Sequence, residues 1–344
     1  SGFSSSNTYD EISASNIFVE GLMFGGRWGD SDPDNNATTK LKYYLYGNDT
    51  NIIGNQTYAF VKKEKDAIEE AQRSFSDVAN ISFTETSKKA EAEIQWSSIY
   101  SNEYYGQAGP PTYEYSDYSG GIEIAYNHYW NDINSGSLDS GSYYFLTFTH
   151  ELGHALGLSH PHDTITTNGI SYEKFPGVSS SIDGGDNYLN STPFTVMTYN
   201  DSSSTNGYSP SSNSYNGFLT NLGAFDIAAI QYLYGPNKSN KTGNDTYVLD
   251  DNINGYSCIW DNGGVDTISA KNKTEDVIID LRNASLENEF GGGGFVSRYG
   301  DTNNGYTIAF NSTGNCIIEN AIGGKGSDDL LGNNSNNVLS GQAG

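Results

Sequence analysis

The sequence is poor in basic residues, and it has no long apolar run. Its 344 residues carry 17 Lys and Arg against 42 Asp and Glu, which gives a formal net charge of −25 at pH 7. No cluster of Lys or Arg is present to neutralise phosphates, which argues against nucleic acid as a partner. No apolar stretch approaches the ~20 residues that a membrane-spanning helix needs, so we expect no membrane span.

Cysteine is also scarce. Cys258 and Cys316 are the only two, and they lie far apart without CxxC spacing, so we do not expect them to bind zinc. They form one disulfide if they lie on neighbouring strands, or they are two free buried thiols, and the sequence leaves both alternatives open. The chain has no initiator Met and no apolar signal segment at Ser1, from which we expect a mature chain whose upstream part was removed.

Histidine is concentrated in one place. Four of the five histidines lie between positions 150 and 162, and residues 150–160 read H-E-x-x-H-x-x-G-x-x-H. On a helix, His150 and His154 share one face, one turn apart. Gly157 can take the positive φ that ends the helix, which brings His160 back toward the same point.

Three imidazoles in this register predict a catalytic zinc site with one open coordination position. Glu151 lies beside the ligands, where its carboxylate can act as a general base toward a water on the metal. The alternative is a helix whose histidines only pack or face solvent, but it does not account for the added G-x-x-H. We expect His162 to take no part in the site.

The order of the elements predicts an α+β fold up to about Gly235, an α/β layer with a cleft along one edge. Apolar spacing predicts helices over 7–21, 60–79 and 224–235. Strands are predicted over 41–46, 81–84, 92–96 and 121–126. From Pro236 onward, short β-runs separated by Gly, Asn and Asp predict stacked β-structure, so we expect two domains, 1–235 and 236–344.

Residues 323–331 match G-G-x-G-x-D-x-U-x, the nonapeptide of calcium-binding parallel β-rolls. Its glycines allow a tight loop with inward carbonyls, and Asp328 supplies a carboxylate. In the next nine residues Asn337 replaces that Asp, so calcium binding there would be weaker. Gly/Asp-rich turns without an ion are the alternative. The predicted loop ligands are Gly323, Gly324, Gly326 and Asp328.

The zinc motif together with Met197-Thr198-Tyr199 resembles the metzincin endopeptidases, and the M-x-Y form of this Met-turn resembles that of the serralysins. The resemblance implies that Met197 is an apolar floor beneath zinc. It also implies that Tyr199 is a displaceable zinc ligand whose hydroxyl stabilises the oxyanion. Because the chain has only two Met, this match carries weight. A core Met beside a surface Tyr is the alternative.

The same resemblance implies further calcium ligands before the repeat. They are Lys241, Gly243, Asp245, Asp261, Gly263, Gly264, Asp266 and Glu319. The segment 261–266 resembles the serralysin D-x-G-G-x-D, whereas Lys241 stands where the family usually has Arg. Family members normally carry more repeats and a C-terminal export signal, so the resemblance implies a truncated or processed β-roll.

The resemblance therefore implies a secreted, extracellular endopeptidase with Zn²⁺ and Ca²⁺ as cofactors. It implies a monomer that acts on proteins and peptides, with a proteinaceous inhibitor as a further partner. Substrate would pair with a cleft-edge strand, for which 121–126 is our candidate; an ordinary strand is the alternative. Two other classes stay open, namely a calcium-binding structural or adhesive module with an inactive protease domain, and a non-proteolytic zinc hydrolase with a closed pocket.

Overall fold

One mixed six-stranded sheet organises the N-terminal part of the protein. The computed structural model describes residues 15–29, 37–111, 118–125, 136–200 and 217–344. The strands are β1 Thr39–Leu45, β2 Thr57–Tyr58, β3 Ile81–Glu85, β4 Ile94–Ile99, β5 Gly106–Ala108 and β6 Gly121–Ala125. Their order is β3-β1-β4-β6-β5, and β2 also pairs with β4. Strands β3, β1, β4 and β6 run parallel to one another, whereas β5 is antiparallel to β6 and forms the edge next to it.

In the described residues the α-helices are α1 Ile17–Glu20, α2 Lys62–Ser76, α3 Tyr143–Leu156 and α4 Ala224–Tyr234. The predictions of helices over 60–79 and 224–235 are confirmed. The N-terminal helix is much shorter than predicted, with Asn16 as its N-cap, and residues 7–14 lie outside the described part. None of the helices in the described residues has the length and apolarity that crossing a membrane requires.

The predicted strands before the zinc motif are confirmed with small shifts of their ends; Tyr126 lies outside the described residues. The choice of 121–126 as the cleft edge is wrong. β6 is an interior strand, because β4 and β5 pair with its two sides. Strand β5 has the short sequence Gly-Gln-Ala, which lacks the alternating apolar pattern from which a strand could be predicted. The edge of the sheet next to β6 is therefore β5, and β3 forms the other edge.

Residues 236–344 contain strands and no helix, as predicted. After the hairpin β7 Ile165–Thr167 and β8 Ile170–Tyr172, the strands are β9 Thr246–Val248, β10 Tyr256–Ile259, β11 Thr267–Ser269, β12 Val277–Asp280, β13 Arg298–Tyr299, β14 Gly305–Ile308, β15 Asn320–Ile322, β16 Asp328–Leu331 and β17 Val338–Ser340. They form the sheets β17-β15-β11-β9, β13-β12-β16 and β10-β14. Apart from the β12–β13 pair, the pairings among β9–β17 are parallel. Asn320 pairs with Val338, eighteen positions on, which is the length of two successive nonapeptides.

The N-terminal and C-terminal parts share one buried apolar core. The backbone N–H of Thr220 donates to the Tyr256 carbonyl at 2.8 Å, and the Asn221 amide donates to the Cys258 carbonyl at 3.1 Å. Phe225 and Tyr256 are both buried in this continuous core. The division into two domains at Gly235 stays a prediction.

Both cysteines are buried free thiols, so the structure selects that alternative over a disulfide. Burial raises the pKa of Cys258 to about 12, and it raises the pKa of Cys316 as well. Since a thiol reacts as its thiolate, neither is expected to react in the folded protein.

Thiol titration tests this arrangement. Native protein should show no reactive thiol, and protein unfolded without reductant should show two, because unfolding exposes both side chains. In Cys258→Ser the unfolded protein should show one. No reactive thiol in the unfolded, unreduced protein would reveal a disulfide and contradict the structure.

Candidate metal centre

Helix α3 has a capping residue at each end, Ser142 at its start and Gly157 at its end. At its start the Ser142 hydroxyl accepts a hydrogen bond from the Phe145 N–H at 3.1 Å, which is a regular N-cap. At its end Gly157 has φ +112°, as predicted, and a Cβ there would lie 2.4 Å from the Gly26 carbonyl oxygen. Only glycine fits this turn, and the chain that leaves it returns His160 to the helix face.

The three predicted imidazoles converge on one point. The Nε2 atoms of His150, His154 and His160 lie 3.0–3.2 Å from one another. Each Nδ1 faces an acceptor at 2.7–2.8 Å: the carbonyls of Val196 and Leu158 for the first two, and the Asp163 carboxylate for the third. Each Nδ1 therefore carries the proton and donates it, so each Nε2 directs a lone pair at the shared centre.

This donor set fits a zinc ion. Three facing lone pairs repel one another unless a cation lies between them, and Zn–N bonds of about 2.0–2.1 Å fit rings at this spacing. Burial, reinforced by the neighbouring imidazoles, lowers the pKa of His150 and His154 to about 3 and that of His160 to about 4. All three rings are neutral at pH 7, which is the form that binds metal.

Glu151 is buried on the same helix and faces the edge strand. A Cβ on Gly106 of β5 would lie 2.7 Å from the Glu151 Cγ and 2.9 Å from its Oε1, so this glycine makes room for the carboxylate. None of the hydrogen bonds among the described residues uses that carboxylate. Burial raises the pKa of Glu151 to about 8, and a divalent cation nearby would oppose the rise. The group suits proton transfer near neutral pH.

Met197 and Tyr199 both lie at the centre. Met197 is fully buried, and a Cβ on Gly153 of α3 would lie 2.7 Å from its sulfur, so the helix packs directly on the methionine. The Tyr199 ring centroid lies 4.6 Å from that of His160 and 5.7 Å from that of His150. Partial burial and the Glu151 carboxylate raise the pKa of Tyr199 to about 12, so its hydroxyl is protonated at neutral pH.

A buried carboxylate on α4 holds the loop that carries Met197. Asp226 accepts hydrogen bonds from the Thr195 hydroxyl at 2.6 Å and from the N–H groups of Val196 and Gly223 at 2.7 and 2.8 Å. The carbonyl of the same Val196 orients His150. Sequence reasoning missed this residue. Its available signal was the Gly-x-x-Asp start of α4, in which the carboxylate caps the first turn.

His162 is closer to the site than predicted. Its ring stacks on that of His160 with centroids 4.8 Å apart and planes at 8°, and it lies 4.8 Å from the Tyr199 ring. Its Nδ1 is buried without a partner among the described residues. The residues after Gly157 thus fold back over the ligands and bring His162 beside them, while the expectation that it takes no part in the site stays a prediction.

The centre opens into a cleft of about 270 Å³. One wall comes from the edge strand and the turn before it, with Tyr104, Tyr105 and Gly106. The floor and the other wall come from α3 and the loop around Met197, including Leu146, His150, Glu151, Thr192, Thr198 and Tyr199. The metal-directed nitrogens thus lie beside the exposed edge of the sheet.

The predicted calcium residues before the repeat come together. Carboxylate oxygens of Asp245, Asp261 and Asp266 lie within 4.8 Å of one another. The Asp266 N–H donates to Glu319 Oε2 at 2.8 Å, whereas Asp266 Oδ2 is buried with no partner among the described residues. Burial and the charges of Asp261 and Glu319 raise the pKa of Asp266 to about 7. Such an acidic, partly unsatisfied cluster fits Ca²⁺.

The glycines of these segments form a close turn, whereas Lys241 contacts the acidic cluster directly. Gly263 and Gly264 have φ of +119° and +131°, and a Cβ on Gly264 would lie 2.2 Å from the Gly243 carbonyl oxygen. The Lys241 carbonyl accepts a hydrogen bond from the Asn262 N–H at 2.7 Å, and its ammonium lies 3.1 Å from Asp245. Lys241 therefore also supplies positive charge to the cluster.

Asp328 lies apart from this cluster, inside its own loop. Its carboxylate accepts the Gly324 N–H at 2.6 Å and the Val277 N–H at 3.2 Å. A Cβ on Gly323 would lie 2.2 Å from Asp328 Oδ2, and one on Gly326 would lie 2.6 Å from the Glu275 carbonyl carbon. The repeat glycines thus allow the close loop that was predicted, and among the described residues Asp328 belongs to no group of three or more potential metal ligands.

Removing the carboxylate behind His160 tests the metal centre. Asp163→Ala leaves the His160 Nδ1–H without its acceptor, so we expect zinc to bind about 10–100-fold more weakly. Competition with a chromophoric chelator measures the affinity. Asp66→Ala, which removes an exposed carboxylate on α2, is the control and should bind as tightly as the unmodified protein. Equal affinity in all three proteins would contradict the role of Asp163.

Comparison with known proteins agrees with this geometry. Residues 38–183 match the matrixin family model. The chain is 32% identical over 316 residues to a serralysin of Proteus mirabilis, covering 84% of this chain and 58% of the relative. It is 32% identical over 332 residues to a serralysin of Photorhabdus luminescens, covering 91% and 62%. The chain thus spans about three fifths of the length of these curated relatives. The motif, the Met-turn and these matches together support a serralysin-type metzincin.

Proposed function

We propose that the protein is a zinc-dependent endopeptidase that cleaves peptide bonds in extracellular proteins. The observation that carries the proposal is the convergence of three neutral imidazoles beside Glu151 in a cleft with an open sheet edge. An open cleft admits a polypeptide, which favours a protease over a hydrolase of small esters. An inactive protease domain has no support, since every predicted catalytic side chain is present at the centre.

His150, His154 and His160 would hold the zinc ion, which when bound supplies a Lewis acid that polarises the peptide carbonyl and lowers the pKa of water. Glu151 takes a proton from the attacking water and returns it to the leaving amine nitrogen. The Tyr199 hydroxyl, protonated at neutral pH, donates to the oxyanion that develops on the carbonyl oxygen. Met197 closes the site from below and excludes water there.

Substrate would bind as an added strand on β5. Its backbone is paired with β6 on one side, and no strand in the described part of the chain covers the other side. An extended peptide can use these free N–H and C=O groups. Because Gly106 of β5 touches Glu151, a peptide on this edge would present its carbonyl to the base and the metal-directed nitrogens.

For the C-terminal part, we propose a parallel β-roll domain over 236–344 that binds Ca²⁺. Support comes from the parallel pairing among most of β9–β17 and from the acidic cluster of Asp245, Asp261, Asp266 and Glu319. Bound Ca²⁺ would neutralise carboxylates that otherwise repel one another. The excess of acidic residues and the expected calcium sites both suit a secreted protein that works where calcium is plentiful.

Hydrolysis of casein tests the activity. In Glu151→Gln the proton acceptor is lost while the shape of the side chain is kept, so we expect kcat to fall by about 10²–10⁴-fold with zinc still bound. Glu69→Gln, an exposed change on α2, is the control and should keep full activity. Absence of cleavage by the zinc-loaded parent protein, or equal cleavage by parent and Glu151→Gln, would sink the proposal.

Thermal unfolding with and without added calcium tests the second site. Ca²⁺ at 100 times its Kd stabilises by about 2.7 kcal/mol, which raises Tm by a few degrees. Asp266→Asn should lose most of that rise, whereas the exposed Asp301→Asn should keep it. Since the Asp266 proton competes with calcium, the rise should shrink below about pH 7. A calcium effect that survives in Asp266→Asn contradicts this assignment.

A further inference from the structure

We propose that Glu123 is a positioning residue that fixes the edge of the sheet against which substrate binds. Glu123 lies in the middle of the interior strand β6 and is 1% exposed. Its neighbours Ile122 and Ile124 are fully buried and point to the opposite face, because side chains alternate along a strand. The carboxylate thus lies on the sheet face away from the isoleucines.

Four side chains donate hydrogen bonds to this one carboxylate. Oε1 accepts from the amide of Asn55 at 2.8 Å and from that of Asn51. Oε2 accepts from the Tyr104 hydroxyl at 3.0 Å and from the amide of Gln107. The Gln107 amide also donates to the Tyr104 oxygen at 3.0 Å, which closes the network. Two separate segments of the chain, 51–55 and 104–107, are therefore tied to β6 through Glu123.

Two of the four donors belong to the cleft. Gln107 is the central residue of the edge strand β5, and Tyr104 lines the cleft two residues before Gly106, which touches Glu151. The strand itself reads Gly-Gln-Ala, so it has little apolar surface with which to anchor itself in the core. Backbone pairing with β6, the packing of Tyr105 on α3 and the bonds to Glu123 together hold it at the distance that a bound peptide requires.

The network depends on a carboxylate in particular. None of the ion pairs among the described residues involves Glu123. Three side-chain amides and one phenol surround its carboxylate in place of a counter-ion. A carboxylate offers four lone pairs and no proton, which matches four donors. Glutamine at this position would turn an NH₂ group toward the phenol and the Gln107 amide, and at least one donor would lose its acceptor in a buried place.

The inference rests on the proposed peptidase function for its kinetic consequence. If Glu123 fixes β5, loss of its charge weakens pairing of the peptide with the edge and leaves the zinc ligands and Glu151 unchanged. Binding should then suffer and bond cleavage should not. A residue that merely stabilises the fold would lower Tm without this separation of KM from kcat.

The experiment compares Glu123→Gln with Ile122→Val, a mild core truncation on the same strand with its side chain on the opposite face. For Glu123→Gln we expect KM for a peptide that spans the cleft to rise about five- to tenfold, equivalent to one hydrogen bond, with kcat within about twofold. Amide hydrogen exchange should accelerate at residues 104–108 and stay unchanged in α3. Ile122→Val should lower Tm with KM unchanged.

An unchanged KM with unchanged exchange at 104–108 in Glu123→Gln would overturn the inference, as would an equal rise of KM in Ile122→Val. Tyr104→Phe removes the hydroxyl that donates to Glu123 and accepts from Gln107, and it keeps the other three donors to the carboxylate. It should show the same effect at smaller size, and it carries the test if Glu123→Gln does not fold. Failure of the parent protein to cleave peptides would refute the proposed function, and the exchange comparison would still decide the role of Glu123.

Discussion

The convergence of three imidazole lone pairs is the constraint on which the rest of the protein depends. Nitrogen atoms 3.0–3.2 Å apart, all without protons, repel one another, and only a cation between them makes the arrangement favourable. The fold has to hold this arrangement before any metal binds. It does so by giving every Nδ1 its own acceptor, from three different places in the chain.

Those acceptors link the centre to other segments of the N-terminal part. The carbonyl that orients His150 belongs to Val196, whose N–H is held by the buried Asp226 of α4. Two glycines allow other segments to approach α3 closely. Gly153, within the helix, packs against the sulfur of Met197, and Gly157, just after it, lies against the backbone of Gly26. The geometry of the metal centre is thus distributed over helix, turn and loop, and its hydrogen bonds are buried or partly buried, which strengthens them relative to bonds in water.

The C-terminal part also brings together groups that repel one another, in this case carboxylates. Around Asp266, carboxylates gather and one oxygen has no donor among the described residues, an arrangement that a proton or a cation would stabilise. In the last repeat, side-chain amides do this work instead: Asn333 donates to the carbonyls of Leu281 and Ile318 at 2.9 and 2.8 Å, and Asn337 donates to that of Glu319 at 3.0 Å. Amide N–H groups thus satisfy these carbonyls, and the weaker calcium binding expected from Asn337 stays a prediction.

The sequence by itself determined what depends on neighbours along the chain. The register of His150 and His154, the turn at Gly157 and the amphipathic α2 follow from local spacing, and the structure has each of them. Only the tertiary structure decided which strand is the open edge, because strand order comes from pairing between distant segments, and β5 carries no pattern of its own. The same reason hid Asp226 and Glu123: a buried carboxylate acquires its role from the donors that folding brings to it.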